Sequence, residues 1–174
     1  MILTTRSVET QRLLLRPFAA TDLECLVRIN SDPDVMQFIA NGRPWPEERT
    51  RLRLNAILNH WTRHGFGLWA TIYKEENALI GFCGLQHLEQ TPEVEVGYRL
   101  DKKYWGKGLA TEGAAASIQY GFEMLKLQRI VAVVHPNNRA SRRVLEKCGM
   151  RFEKMARYYE ADLAYYSIFH KPPQ

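Results

Sequence analysis

Val94-Glu95-Val96-Gly97-Tyr98-Arg99-Leu100 and, two residues later, Lys103-Tyr104-Trp105-Gly106-Lys107-Gly108-Leu109-Ala110-Thr111-Glu112 carry the reading of the fold. The first segment predicts a strand in which Glu95 faces the side of the sheet opposite to Val94 and Val96. From Leu109 a helix is predicted to run to Lys126, with Ala114, Ile118, Phe122 and Leu125 along one side. Between the two, Gly106 and Gly108 have no Cβ, so the backbone can turn tightly and approach a ligand closely. The amides that open a helix have no partner inside it, and with the helix dipole they form a site for phosphate oxygens. Three readings of such a loop compete. A Walker loop needs G-x-x-x-x-G-K-[ST], which the chain lacks. A dinucleotide fingerprint needs a third glycine where Thr111 stands, and should follow a first strand. The remaining reading is a glycine-punctuated loop that binds nothing.

Outward from this stretch the chain alternates between strand and helix signals. Gln11 to Arg16 reads as a first strand, stopped by Pro17. Thr21-Asp22-Leu23-Glu24 has the form of a capping box opening a short helix, ended by Asn30, Asp32 and Pro33. A second helix is expected from Glu47 to about His64, with Leu54, Ile57, Leu58 and Trp61 as one apolar stripe and Gly65 as its left-handed stop. Trp69 to Tyr73 and Leu79 to Leu85 flank a hairpin turn at Lys74 to Asn77. Ile130 to Val134 is an unbroken apolar run, as in a strand covered on both faces. A short helix capped by Asn138 and closed by Gly149 follows, then strands near Arg151 to Met155 and Ala164 to Phe169. The order predicts one α/β domain over residues 1–174: a mixed, twisted sheet of about seven strands flanked by about four helices.

Bulk properties exclude more than they identify. Of the 174 residues, 45% are hydrophobic and 25% charged, ordinary globular values. A formal charge of +5 suits an anionic ligand without choosing one. Cys25, Cys83 and Cys148 make an odd count with no C-x-x-C pair, which argues against a disulfide framework and a zinc site. Cys83 and Cys148 read as small buried hydrophobes. No stretch approaches the roughly 20 apolar residues that span a bilayer, so a cytoplasmic location without membrane association is expected. No basic run interleaved with aromatics supports nucleic-acid binding.

The strand and glycine loop together resemble the central motif of the GNAT acyl-CoA N-acyltransferases, [RQ]-x-x-G-x-[GA] after a strand. Asn138-Arg139-Ala140-Ser141 and Leu145-Glu146-Lys147-Cys148-Gly149 look like the family's next motif. Gln11-Arg12-Leu13-Leu14-Leu15-Arg16-Pro17-Phe18 is similar to the opening of the branch that acetylates ribosomal-protein N-termini, and that branch often carries a Ser at the place of Ser141. Three positions depart from the pattern. Lys103 replaces the usual Arg or Gln, keeping the cation but losing the planar fork. Met150 stands where Phe is common, and Leu145 stands where many members carry a Tyr as proton donor to the thiolate.

The resemblance implies direct transfer of acetyl from acetyl-CoA to an amine, with no metal, by a monomer or homodimer. It implies that the backbone of Tyr98, Arg99 and Leu100 runs beside the pantetheine arm. The amides of Trp105, Gly106, Lys107, Gly108, Leu109, Ala110 and Thr111 would hold the pyrophosphate. Lys102, Lys103, Lys107 and Arg143 are candidate cations for the phosphates, and Asn138 for the pantetheine amides. An alkylammonium titrates near 10, so the acceptor needs a base. Glu95 matches that role, with Glu93 as rival. A backbone N–H from Val96 to Tyr98 could meet the oxyanion. Ser141 is the candidate group near the sulfur, with Tyr158 and Tyr159 as alternative acids; His135 reads as structural. Asn41 to Trp45, with Trp61, Phe66 and Trp69, are candidates for the acceptor wall. A non-catalytic CoA-binding regulatory domain is the alternative from a different class. The acceptor stays open among protein N-termini, aminoglycosides, amino acids and polyamines.

Overall fold

The computed structural model describes residues 2–3, 6–89 and 91–170. Its strands are β1 (Ile2–Leu3), β2 (Val8–Glu9), β3 (Leu13–Arg16), β4 (Leu68–Tyr73), β5 (Ala78–His87), β6 (Val94–Leu100), β7 (Arg129–Val134), β8 (Arg151–Tyr158) and β9 (Ala161–Phe169). They form one sheet in the order β1-β2-β3-β4-β5-β6-β7-β9-β8. The sheet is mixed, as expected: β6 and β7 are parallel and every other neighbouring pair is antiparallel. The expected seven strands are all present, and β1 and β2 bring the total among the described residues to nine. Each of those two has only two residues, too few for a period-two signal.

The helices are α1 (Leu23–Asn30), α2 (Pro33–Met36), α3 (Glu47–His64), α4 (Leu109–Glu123) and α5 (Arg139–Lys147). Four of them were expected. The extra one, α2, is a single turn that Asp32 caps by accepting from the Asp34 amide, with Pro33 at its first position. Asp32 and Pro33 therefore start a helix as well as ending one. The capping box at Thr21 to Glu24 does not form. Ala20–Asp22 is instead a 3-10 turn, and the Asp22 carboxylate accepts from the Ala19 amide and from Arg16. Here an arginine fork outcompetes a local hydroxyl cap. Helix α4 stops at Glu123, three residues early, because Lys126 turns the chain with φ 56°. At the other end Gly108 caps it with φ 77°.

Two layers cover the sheet. On one face Leu54 and Ile57 of α3, with Leu58 and Trp61, pack with Leu26 of α1 on Leu68, Ala70 and Phe82, which buries the stripe expected of α3. On the other, α4 lays Ala114, Ala116, Ile118 and Tyr120 over Leu13, Leu15, Trp69, Cys83, Leu85, Val94 and Val96. Strand alternation accounts for the split: Leu68 and Ala70 face α3, and Trp69 between them faces α4. The β5 ladder shifts register opposite Thr71 and Ile72. At that bulge Gly81 has φ 144°, and a Cβ there would lie 2.1 Å from the Arg99 carbonyl oxygen, so no other residue fits. The parallel ladder of β6 and β7 consists of the pair Glu95 and Val131 alone. Beyond it the edge of β6 from Val96 to Leu100 has no strand partner on the β7 side. That open edge leads from Glu95 to the glycine loop.

Candidate active site

The glycine loop is built to hold its shape. After a 3-10 turn at Lys102–Tyr104, Gly106 and Gly108 both take the left-handed conformation, with φ 74° and 77°. The chain thus enters α4 with its first-turn amides uncovered by any side-chain cap. Arg12, just before β3, braces the loop: it donates to the Lys107 carbonyl oxygen at 2.8 Å and pairs with Glu112 at 2.6 Å. Burial pushes the Glu112 carboxyl up, but hydrogen bonds from the Thr10 hydroxyl, the Arg12 amide and the Arg12 guanidinium outweigh it and hold it below the usual range. The sequence contained both Arg12 and Glu112 within recognised motifs, but nothing local joined residues 100 positions apart.

The cations around the loop divide. Lys103 is paired with Glu76 at 3.0 Å, and Lys102 with Asp34. Lys107 lies 5.3 Å from the Tyr104 ring centroid, and Arg143 is exposed on α5. Leu100 and Leu109 have core side chains, so they can offer a ligand only backbone. Trp105 donates its indole N–H to the Leu100 carbonyl oxygen, tying the loop to the end of β6. Ala110 and Thr111 follow in the first turn of α4.

On the α4 and α5 side of β6, the Tyr98 hydroxyl lies 2.9 Å from Ser141 Oγ and donates to the Ser141 carbonyl oxygen at 3.0 Å. Burial pushes this phenol above its usual range, keeping it protonated. Asn138 Oδ1 accepts from the Ser141 amide at 3.0 Å, which is its capping role. Sequence reasoning used only the backbone of Tyr98. Its side chain is the one that joins β6 to Ser141. Leu145 is a core residue, 1% exposed. Burial holds the Cys83 thiol up at about 12 and the Cys148 thiol at about 11, so both behave as small hydrophobes.

On the opposite side of β6, the Glu95 carboxylate is buried, 5% exposed. It accepts from Gln86 Nε2 at 2.7 Å and from the Tyr159 hydroxyl at 2.5 Å. Burial raises its pKa above the usual carboxylate range, against the opposing effects of Tyr159, Gln86 and the nearby Arg53 charge. Arg53 reaches it through Gln86, donating to Oε1 at 2.7 Å. Tyr159 sits at the tip of the β8–β9 hairpin, where Tyr159 and Glu160 have φ of 50° and 61°. Bulky residues rarely adopt this conformation, and such outliers cluster at functional sites. Arg53, Gln86 and Tyr159 line a cavity of about 510 Å³ with Ile57, His60, His64, Leu68, His87 and Glu89. Glu95 lies behind them.

Glu95 and Ser141 therefore stand on opposite sides of β6, with the open strand edge between them. Tyr159 belongs to Glu95 and Tyr158 stacks on Tyr165, so neither is bonded to Ser141. The aromatics expected to wall the acceptor site do not line the cavity. Trp69 is fully buried and donates to the Arg6 carbonyl oxygen, Trp61 donates to Leu68, and Trp45 lies against the guanidinium groups of Arg49 and Arg99. Phe66 packs beneath the cavity against His60 and His87. His135 packs on Phe38.

The Acetyltransferase (GNAT) domain model matches residues 12–151. The uncharacterized N-acetyltransferase p20 of Bacillus licheniformis is 33% identical over 153 residues, covering 87% of this chain and 85% of its own. Among solved structures, an acetyltransferase of the GNAT family from Bacillus anthracis superposes with a TM-score of 0.80 at 34% identity, over 94% of this chain and 98% of its own. RimL, a ribosomal-protein acetyltransferase solved in complex with coenzyme A, shares the fold with a TM-score of 0.79 at 16% identity, over 94% of this chain and 98% of its own.

Proposed function

The chain belongs to the GNAT acetyltransferase family, and from that premise we propose that it transfers acetyl from acetyl-CoA to a primary amine, with Glu95 and Tyr159 removing the proton. One observation carries this reading: a buried carboxylate, outside any salt bridge among the described residues, is hydrogen-bonded to a phenol that opens onto a cavity. The α4 amides and the left-handed glycines suit the pyrophosphate, and the open edge of β6 suits the pantetheine arm. The acceptor amine enters from the cavity. As its nitrogen attacks the thioester carbonyl, its proton passes to the Tyr159 oxygen while the Tyr159 proton passes to Glu95. A raised Glu95 pKa suits this step, since a base works best when its pKa approaches the working pH. When the C–S bond breaks, the CoA thiolate takes a proton from the Tyr98 and Ser141 pair, which regains one from solvent as Glu95 releases the amine's proton to solvent. Val96 to Tyr98 amides facing the open edge are the candidate donors to the oxyanion. No step needs a metal. The reaction belongs in the cytoplasm, where acetyl-CoA is made.

Release of free CoA thiol across a panel of amines tests the reading. The panel contains ribosomal-protein N-terminal peptides, polyamines, amino acids and aminoglycosides. Coenzyme A should also raise Tm, by about 2.7 kcal/mol of stabilisation at a hundred times its Kd. Gly108→Val forces a β-branched residue into a φ of 77° and should abolish that protection while circular dichroism shows the fold retained. No protection of the wild type at millimolar CoA, or normal protection of a folded Gly108→Val, sinks the site. Protection without turnover of any amine would favour the regulatory alternative.

A further inference from the structure

The last turn of α3 and the end of β5 bring three histidines together away from β6. His60 and His64 are one helical turn apart, Gly65 stops the helix in the left-handed conformation, and His87 ends β5 beside them. One ring nitrogen from each lies within 4.8 Å of the other two. The ring centroids of His60 and His64 are 4.5 Å apart, as are those of His64 and His87. The Phe66 ring packs against all three and fixes their spacing.

Protonation follows from the hydrogen bonds. His60 Nδ1 is 2.8 Å from the Phe66 carbonyl oxygen, which can only accept, so Nδ1 carries the proton and Nε2 the lone pair, and Nε2 accepts from the His87 backbone amide at 3.2 Å, a bond that a metal at Nε2 would replace. That is the arrangement of a metal-binding histidine, whose second nitrogen is oriented by a carbonyl. His87 Nδ1 donates to His60 Nε2 at 3.1 Å, and exchange of that proton for a metal needs only a small widening to the roughly 3.4 Å separating two nitrogens bound tetrahedrally to zinc at about 2.1 Å. We propose that His60, His64 and His87 bind a borderline divalent cation, Zn²⁺ in the first instance, with one coordination position facing the cavity. Of the charged groups that line the cavity with the histidines, Glu89 favours a cation and Arg53 opposes one. The site also lies at the negative end of the α3 dipole.

The test uses tag-free protein, titrated with Co²⁺ as a visible probe and then with Zn²⁺ in competition. One equivalent of Co²⁺ should give the intense band of tetrahedral coordination, displaced by Zn²⁺. His64→Ala and His87→Ala should each weaken Zn²⁺ binding by at least about 10- to 100-fold, the loss seen even when a ligand's supporting group is removed. His64 is exposed, so its variant carries the test if His87→Ala does not fold. Changing the remaining histidines, His135 and His170, to Ala should leave binding unchanged. A wild type without the band, wild-type affinity in folded His64→Ala or His87→Ala, or binding that disappears with His135 and His170 overturns the site.

Discussion

Glu93 and Glu95 are two residues apart on one face of the same stretch of chain, and their surroundings differ in kind. Glu93 accepts from Arg129 at 2.9 Å and from the Tyr165 hydroxyl at 2.6 Å, and Arg129 is itself shared with Glu153. Glu95 accepts from an amide and a phenol, forms no salt bridge among the described residues, and is far more buried. A carboxylate held by a guanidinium has its lone pairs committed to an ion pair. A carboxylate buried against neutral donors stays close to the point of protonation. Glu93 lies just before β6 and Glu95 within it, and the partners across the sheet separate a structural acid from a candidate base.

The strongest way to break this contrast is Glu95→Gln, which keeps the shape and removes the basic oxygen. With the acceptor in hand, kcat should fall by about 100- to 10,000-fold at neutral pH, with CoA affinity nearly unchanged. The deficit should narrow at high pH, where more of the amine is already neutral. A loss below about 3-fold would falsify the assignment of Glu95 as base.

Tyr159→Phe tests whether the phenol relays the proton or merely supports the carboxylate. The relay predicts a fall of about 100-fold in kcat, the lower end of the general acid–base range, with Glu95 still in place. Activity close to wild type would mean that the amine reaches Glu95 through water, leaving the phenol as a support.

Glu93→Gln should sharpen the comparison from the other side. It breaks a partly exposed ion pair worth about 1 kcal/mol or less, so kcat should hold within about 3-fold. Tm should fall by no more than about 2–4 °C, as measured by calorimetry. A collapse of kcat at unchanged Tm would exchange the roles of the two carboxylates.

The smallest expected effect is in stability against pH. The folded pKa of Glu95 is raised above the unfolded value, so its contribution is full below about 4.3 and is lost as pH rises through the folded pKa. Relative to Glu95→Gln, the wild type should therefore lose Tm as pH rises above about 4.3. The depressed pKa values of His60 and His87 are common to both proteins and cancel in the difference. A wild type that gains Tm over that range relative to the variant would show that Tyr159, Gln86 and Arg53 outweigh burial.

The sequence by itself determined the succession of seven strands and four helices along the chain, the span of α3, the glycine loop and the caps at Gly65, Asn138 and Gly149. These features are decided within a few residues, where apolar period, missing Cβ atoms and side-chain caps act locally. It also narrowed the base to two acids, Glu93 and Glu95. Only the tertiary structure chose between them, because the choice rests on Tyr159 arriving from 64 positions away and on Arg129 from 36. The same holds for Arg12 bracing Glu112 and for His87 meeting His60 and His64. Side chains far apart in sequence become partners through sheet register and helix packing. The pKa of a buried group depends on those partners and on the water they exclude, which no local stretch of sequence specifies.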